Sequence, residues 1–204
     1  MQAKSKIALN TIVLYLKLLI SIACSLISTR WVLEALGSED FGVYNLVAGI
    51  IAMFSFLNSS MSAATQRFLS IAAGKSKPIE VHKIFVCSLY LHLFIAILVL
   101  LLFELGGLYL INNVMVIPNS KYDDALIVLH FMSISSFFTI ISAPYQAAIT
   151  THEALHIYAF TGVLESICKL LVAFILLNYL GNRLVLYTVC MMMVSINSFF
   201  IVWL

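Results

Sequence analysis

Six apolar stretches, each about 20 residues or longer, occupy most of this sequence. Stretches of that length are needed to cross the hydrocarbon core of a membrane. They cover residues 7–29, 41–64, 84–110, 125–149, 157–177 and 184–204. Backbone groups in lipid must be satisfied within the segment, and the stretches lack the strict alternation of barrel strands. The sequence therefore predicts six transmembrane helices.

The composition leaves little room for a water-soluble alternative. Hydrophobic residues make up 63% of the 204-residue chain, and only 10% of its residues are charged. A soluble domain is usually about a quarter charged. The predicted fold is therefore an all-α integral membrane protein, with residues 1–204 forming a single six-helix lobe. The last stretch runs to the final residue, which we interpret as a shortened chain.

The first stretch could be mistaken for a cleaved signal peptide. Lys4 and Lys6 precede it, and residues 21–24 faintly resemble a lipoprotein cleavage site. However, Lys17 interrupts the apolar region, and apolar sequence continues to Val32. An uncleaved first span is the better interpretation.

The positive charges predict the orientation, because cytoplasmic loops carry an excess of lysine and arginine. With the N-terminus inside, the basic residues on the cytoplasmic side are Lys4, Lys6, Arg67, Lys75, Lys77 and Lys83. Those on the opposite side are Arg30, Lys121 and Arg183. We therefore expect a multi-pass protein with both termini in the cytoplasm.

Polar and small side chains recur at helical spacing inside the second stretch, where they define one face of a helix. They are Asn45, Ala48, Ala52, Ser55, Ser59, Ser62 and Gln66. The first stretch repeats the pattern with Asn10, Lys17, Ser21, Cys24 and Ser28. Close helix packing is the simpler explanation for the alanines and serines. Asn45, Gln66 and Lys17 are harder to explain in that way and favour a polar cavity.

Charged side chains within the predicted spans are the strongest functional candidates. A lysine near the middle of a membrane costs about 2.5–3.5 kcal/mol on insertion scales, so Lys17 should face a protein interior or a water-filled cavity. Glu165 and Lys169 have the spacing of a helical ion pair. That pair could serve only to neutralise both charges during insertion, or it could line a route for a charged ligand. His92 and His130 stand alone in apolar sequence, so we assign them no role.

Ordered motifs along the whole chain carry a family resemblance. The early ones occupy residues 10 with 14–15, 29–30, 36–37, 40–45, 53–57 and 64–69, and the later ones residues 104–106, 117–118, 144–147, 152–153 and 158–159. In these segments the sequence resembles bacterial polysaccharide flippases, the O-antigen type transporters of the multidrug/oligosaccharidyl-lipid/polysaccharide (MOP) superfamily. It resembles their N-terminal half only.

The resemblance implies one lobe of a two-lobe transporter in the bacterial cytoplasmic (inner) membrane. Such transporters move undecaprenyl-diphosphate-linked oligosaccharides to the outer leaflet for surface polysaccharide assembly. The implied partners are this lipid-linked substrate, membrane lipid, and a second lobe or a second copy of the chain. Neither a cofactor nor nucleic acid is expected, and the protein is not expected to be an enzyme.

In this family, cationic side chains near the first two helices are thought to attract the pyrophosphate. The substrate-cavity candidates are Lys17, Arg30, Asn45, Ser59, Gln66, Arg67, Glu165 and Lys169. Lys17 and the polar face of the second stretch match the family by placement, whereas Arg30 and Arg67 match by motif. A MATE-like drug or cation antiporter lobe would share the fold, but its cavity should be rich in carboxylates.

The segment from residue 152 to 156 spells His-Glu-Ala-Leu-His, which is the pattern of a helical zinc-protease site. A real site needs a third ligand and a metal-bound water, and the downstream sequence offers no clear third ligand. We therefore reject His152, Glu153 and His156 as a metal site, and an intramembrane zinc protease is the least favoured alternative. The motif is instead expected in the short cytoplasmic connection before the fifth span.

Overall fold

A computed structural model describes residues 2–75 and 77–203, with side chains from residue 9 onward. Lys4 and Lys6, used in the orientation argument, thus lie outside the described side chains. The α-helices are α1 (Gln2–Ala52), α2 (Ser55–Gly74), α3 (Pro78–Leu102), α4 (Leu108–Asn113), α5 (Tyr122–Thr151), α6 (Leu155–Asn178) and α7 (Arg183–Trp203). A π-helical turn at Phe103–Gly107 joins α3 to α4, and a 3₁₀ turn at Asn119–Lys121 precedes α5. The protein is an all-α integral membrane protein.

Within the described residues, five helical segments are long and apolar enough to cross a membrane. They are Leu9–Ala52, Pro78–Asn113, Asn119–Thr151, Leu155–Asn178 and Arg183–Trp203. The last four coincide with the predicted third to sixth stretches. The first contains residues 9–29 of the predicted first stretch and residues 41–52 of the second.

The chain turns back within α1 at Gly37. This residue has φ 72° and ψ 177°, a conformation that glycine adopts easily and other residues rarely do. Before the turn, Ser21 hydrogen-bonds Ser166, and Trp31 contacts Phe174. The later residue of α1 thus contacts the later residue of α6. Residues 2–36 therefore run parallel to α6.

After the turn, the second part of α1 follows α7 instead. Tyr44 packs on Tyr187 with ring centroids 4.9 Å apart, and further along both helices Ile51 and Met191 line the same cavity. Ser198, in the last part of α7, contacts Glu165, in the first half of α6. Helix α7 is therefore antiparallel to α6. Residues 38–52 therefore run opposite to residues 2–36, as two successive membrane crossings require.

One element boundary within the second stretch was predicted wrongly. The sequence predicts one helix over residues 41–64, but turn residues Met53 and Phe54 separate α1 from α2, and α2 continues to Gly74. No glycine or proline marks the break. Phe54 instead packs edge-on against the buried Phe103, with centroids 5.1 Å apart, so tertiary packing accounts for the interruption.

Helix α5 lies at the centre of the lobe. Its Ala125, Val128 and Leu129 are fully buried, in one core cluster with Val32 of α1 and Leu176 of α6. Pro144 is a buried residue inside this helix. Burial on several sides identifies α5 as the helix around which the others pack.

We call the side of the lobe that contains Gly37 the Gly37 end. At the Gly37 end, Lys121 Nζ lies 2.6 Å from Asp40 Oδ1. Asn182 donates a hydrogen bond to Asp124, and Arg183 donates one to the carbonyl of Ala35. These contacts tie α1, α5 and the α6–α7 connection together.

Candidate functional site

A polar groove lies between residues 9–36 of α1 and helix α6, and α7 also lines part of it. It contains one cavity of about 490 Å³ beside Lys17 and another of about 440 Å³ beside Lys169. Ser21 and Ser166 line both cavities, and Ser166 donates a 2.9 Å hydrogen bond to Ser21. We call the two cavities together the α1–α6 groove.

Lys17 lies across the surface of α6. Its Nζ is 3.6 Å from the centre of the Tyr158 ring, within the range of a cation–π contact. A Cβ atom on Gly162 would be 2.2 Å from Lys17 Cε. The glycine therefore provides the space in which the lysine stem lies. Its ammonium group lies at the first cavity. None of the ion pairs of the described residues joins Lys17 to a carboxylate.

The predicted ion pair in α6 is present. Lys169 Nζ lies 2.6 Å from Glu165 Oε1, and both side chains are partly exposed. Ser198 of α7 approaches the other carboxylate oxygen at 3.3 Å. Glu165 lines the first cavity and Lys169 the second, so the pair connects them.

The second cavity adds uncharged polar groups. Asn45 lines it and donates its side-chain amide to the carbonyl of Phe41 at 2.8 Å, which leaves its side-chain oxygen directed elsewhere. The buried hydroxyl oxygen of Ser28 has no hydrogen-bond partner among the described residues. Tyr44 and Tyr187 complete this part of the wall. The second cavity therefore has polar lining groups that are not all paired within the described residues.

The structure brings four of the eight predicted residues to this groove and places the other four elsewhere. Lys17, Asn45, Glu165 and Lys169 line it. The remaining four are exposed and line neither cavity: Arg30, Ser59, Gln66 and Arg67. The break at Met53–Phe54 explains much of this separation, because it divides the polar stripe of the second stretch between two helices.

Sequence reasoning missed several groove residues on α6. Tyr158 and Gly162 hold Lys17, and Ser166 joins the two cavities. These residues occupy the same helical face as Glu165 and Lys169, at spacings of three and four. That regularity was a usable signal. The sequence could not indicate which distant helix this face would contact.

The zinc-protease pattern does not form a single helical face. Helix α5 ends at Thr151, residues 152 and 153 form a turn, and α6 begins at Leu155. Glu153 has φ 56°, far from helical geometry. The two histidines are therefore separated by a helix break. Across the described part of the chain, no group of three or more His, Cys, Asp or Glu is placed to hold a metal ion.

Comparison with known proteins gives one relative. The chain is 29% identical over 131 residues to a Bacillus subtilis (strain 168) protein named "Uncharacterized membrane protein EpsK". The alignment covers 64% of this chain but only 26% of that protein, so it spans about a quarter of the relative's length. No protein-family profile matches the chain. No solved structure matches it either.

Proposed function

We propose that this chain is the N-terminal lobe of a flippase for undecaprenyl-diphosphate-linked oligosaccharides in the bacterial inner membrane. The observation that carries the proposal is the pair of lysines, Lys17 and Lys169, in one polar groove within apolar helices. The ordered motifs that resemble polysaccharide flippases supply the substrate class.

Charge and depth support an anionic ligand. Both lysines lie near the middle of their spans, where an ammonium group is costly unless it faces an aqueous or polar site. Only Glu165 faces them from the described lining residues, so the groove carries a net positive charge. Phosphate oxygens accept strong, charge-assisted hydrogen bonds from ammonium groups such as these.

The same balance of charge argues against the alternatives. A groove for cationic drugs should present more carboxylates than ammonium groups, and here the ratio is reversed. The break at Glu153 removes the helical geometry that a zinc protease would need. We therefore propose transport and no enzymatic reaction.

The substrate cavity of a flippase also needs protein on the side that faces away from this lobe. Alternating access requires one lobe or repeat to move against another, and Asn45 and Gln66 are exposed on this lobe. We therefore propose that a second lobe, or a second copy of the chain, faces these residues. Residues 1–204 alone should not restore surface glycan to a strain that lacks its flippase.

The test uses a full-length protein that carries this lobe, in such a strain. Lys17→Ala should lower glycan export at normal membrane abundance, and Lys17→Arg should retain more export because it keeps the positive charge. Lys83→Ala, an exposed lysine on α3 outside the groove, is the matched control. Unchanged export in Lys17→Ala would remove Lys17 from the proposed mechanism.

A second measurement separates transport from proteolysis. Glu153→Gln should leave glycan export and the cell's proteolysis unchanged, because no metal-bound water needs a base at that position. The purified chain should contain far less than one zinc per molecule. Stoichiometric zinc that is lost in His156→Ala would contradict the flippase proposal and support an enzyme.

A further inference from the structure

A separate cavity lies at the end of the lobe where α2 and α5 finish and α3 begins. Its volume is about 670 Å³, within the usual range for ligand pockets. Small side chains on two of its walls, Ala73 of α2 and Ala148 of α5, leave this space between the helices. None of its described lining residues lines the α1–α6 groove. We call it the α2–α3–α5 cavity.

Contacts between the three helices hold the walls of this cavity in place. Ser70 of α2 and Thr151 of α5 share a hydrogen bond of 3.4 Å near the helix ends. Further into the lobe, Thr65 of α2 and Ser88 of α3 are both buried and share one of 2.8 Å. A pocket whose walls are already joined needs little rearrangement to accept a ligand.

The residues that line the cavity change from polar to apolar with depth. Lys77 and His152 lie just beyond the ends of α3 and α5, where both are exposed and form the mouth of the cavity. Leu69 and Phe85 line it about 8 and 10 Å further along α2 and α3. A membrane lipid has the same order, because its head group lies at the surface and its acyl chains lie deeper. The cavity therefore matches a lipid better than a soluble ligand.

The region around the mouth is basic. Residues 74–84, which connect α2 to α3 and form the first turns of α3, contain three lysines and one carboxylate. That carboxylate is Glu80, and it lies 2.7 Å from Lys77 Nζ. An ammonium group has three donors, so Lys77 retains donors for another acceptor. At the Gly37 end, by contrast, residues 34–40 contain three carboxylates and no basic residue. The positive charge at the mouth favours a lipid with an anionic head group.

We propose that the α2–α3–α5 cavity binds an anionic phospholipid of the surrounding membrane. Lys77, His82 and His152 offer N–H donors to the phosphate group. An acyl chain of the same lipid packs against Leu69 and Phe85. Basic pockets between transmembrane helices bind anionic head groups in this way.

The bound lipid contacts three helices at once. It therefore stabilises the arrangement of α2, α3 and α5, since a ligand that binds only the folded state raises its stability. His152, which belongs to the zinc-protease pattern, acts here as a head-group contact. This inference does not depend on the proposed flippase activity, because the cavity and the groove have separate walls.

Native mass spectrometry of the full chain in mild detergent tests the proposal. The chain should retain phosphatidylglycerol about fivefold or more tightly than phosphatidylcholine with the same acyl chains. Lys77→Ala combined with His152→Ala should remove most of this preference. Lys83→Ala is the matched control, because it removes a charge from the same end of the lobe but lines no part of the cavity, and it should keep the preference.

Two further arms identify the source of the phosphate and the place where it binds. Glycerol phosphate, which lacks acyl chains, should not displace phosphatidylglycerol at equal concentration. Ala73→Leu, which fills part of the cavity and leaves the mouth unchanged, should lower retention of phosphatidylglycerol. The double variant Lys17→Ala with Lys169→Ala should retain it as wild type does, because both lysines belong to the groove.

Four results would overturn the proposal. They are equal retention of the two phospholipids by wild type, a preference that survives the loss of Lys77 and His152, an equal loss in Lys83→Ala, and displacement by glycerol phosphate. Loss of the preference in the Lys17 and Lys169 double variant would place the phospholipid in the groove and would also contradict it. If Ala73→Leu does not fold, the exposed residues Lys77 and His152 still decide the question.

Discussion

The side chains around α5 are buried and apolar, whereas those along the α1–α6 groove are polar and only partly buried. Around α5, Leu129 and Val128 are fully buried and their neighbours are apolar. Along the groove, Lys17 and Lys169 are only partly buried, and their neighbours are hydroxyl, aromatic and carboxylate groups. The difference indicates that α5 supplies much of the stability of the lobe. The groove can therefore be altered with little effect on folding.

The largest expected effect is on the α5 side. Leu129→Ala should lower the free energy of unfolding by about 2–5 kcal/mol, because it leaves a cavity in a fully buried cluster. Denaturant unfolding of the chain in detergent micelles would measure it. Leu26→Ala, at a residue that is 70% exposed on α1, is the matched control and should have little effect. Equal losses in both variants would contradict the assignment of α5 as the central helix.

Two adjacent glycines provide a finer test of the same packing. Gly107→Ala should destabilise the chain by about 1–3 kcal/mol, because the new methyl group overlaps the side chain of Leu129. Gly106→Ala is the control, since a Cβ atom there meets nothing within 4 Å. The same unfolding measurement applies. If Gly106→Ala were the more destabilising, the close contact between the π turn and α5 would be wrong.

The length and hydrophobicity of the apolar stretches were sufficient to predict the membrane fold but not the details of its helices. These two properties located the last four spans. The break at Met53–Phe54 was missed because it arises from the packing of Phe54 on Phe103, which local sequence does not encode. The π turn was missed for a similar reason, despite the adjacent Gly106 and Gly107.

The candidate site was partly predictable. Lys17 stood out because a lysine is costly in an apolar span, and the Glu165–Lys169 pair followed from its spacing. The partners of Lys17 are 141 and 145 residues away in sequence, at Tyr158 and Gly162, so local patterns could not connect them. The contact between Glu104 and His130 was missed for the same reason, because the two residues are 26 positions apart in sequence.

A glycine in the groove tests whether Lys17 can be moved without unfolding the lobe. Gly162→Ala should displace the Lys17 side chain, since its Cβ would be 2.2 Å from Lys17 Cε. The lysine is flexible, so the free energy of unfolding should change by less than about 1 kcal/mol. Glycan export by a full-length protein that carries the variant should nevertheless fall. Gly49→Ala, where a Cβ atom meets nothing within 4 Å, should retain export and exclude a general effect of glycine replacement.

The smallest expected effect is at the Gly37 end. Lys121→Gln removes the contact with Asp40 and should lower the free energy of unfolding by about 0.2–1 kcal/mol, because partly exposed ion pairs contribute little. High salt should reduce the difference between wild type and variant. Lys83→Gln is the control. A loss as large as that of Leu129→Ala would mean that the ends of the helices, and not α5, hold the lobe together.

The most direct test of the groove is a comparison of two lipids that differ only in their head group. The chain in lipid nanodiscs should bind a polyprenyl diphosphate about tenfold or more tightly than the corresponding polyprenyl alcohol, because Lys17 and Lys169 can pair with the diphosphate. Replacing both lysines by alanine should remove this preference, whereas Lys83→Ala should keep it. Equal binding of the two lipids by the wild-type chain, or a preference that survives in the double variant, would contradict the proposed head-group site.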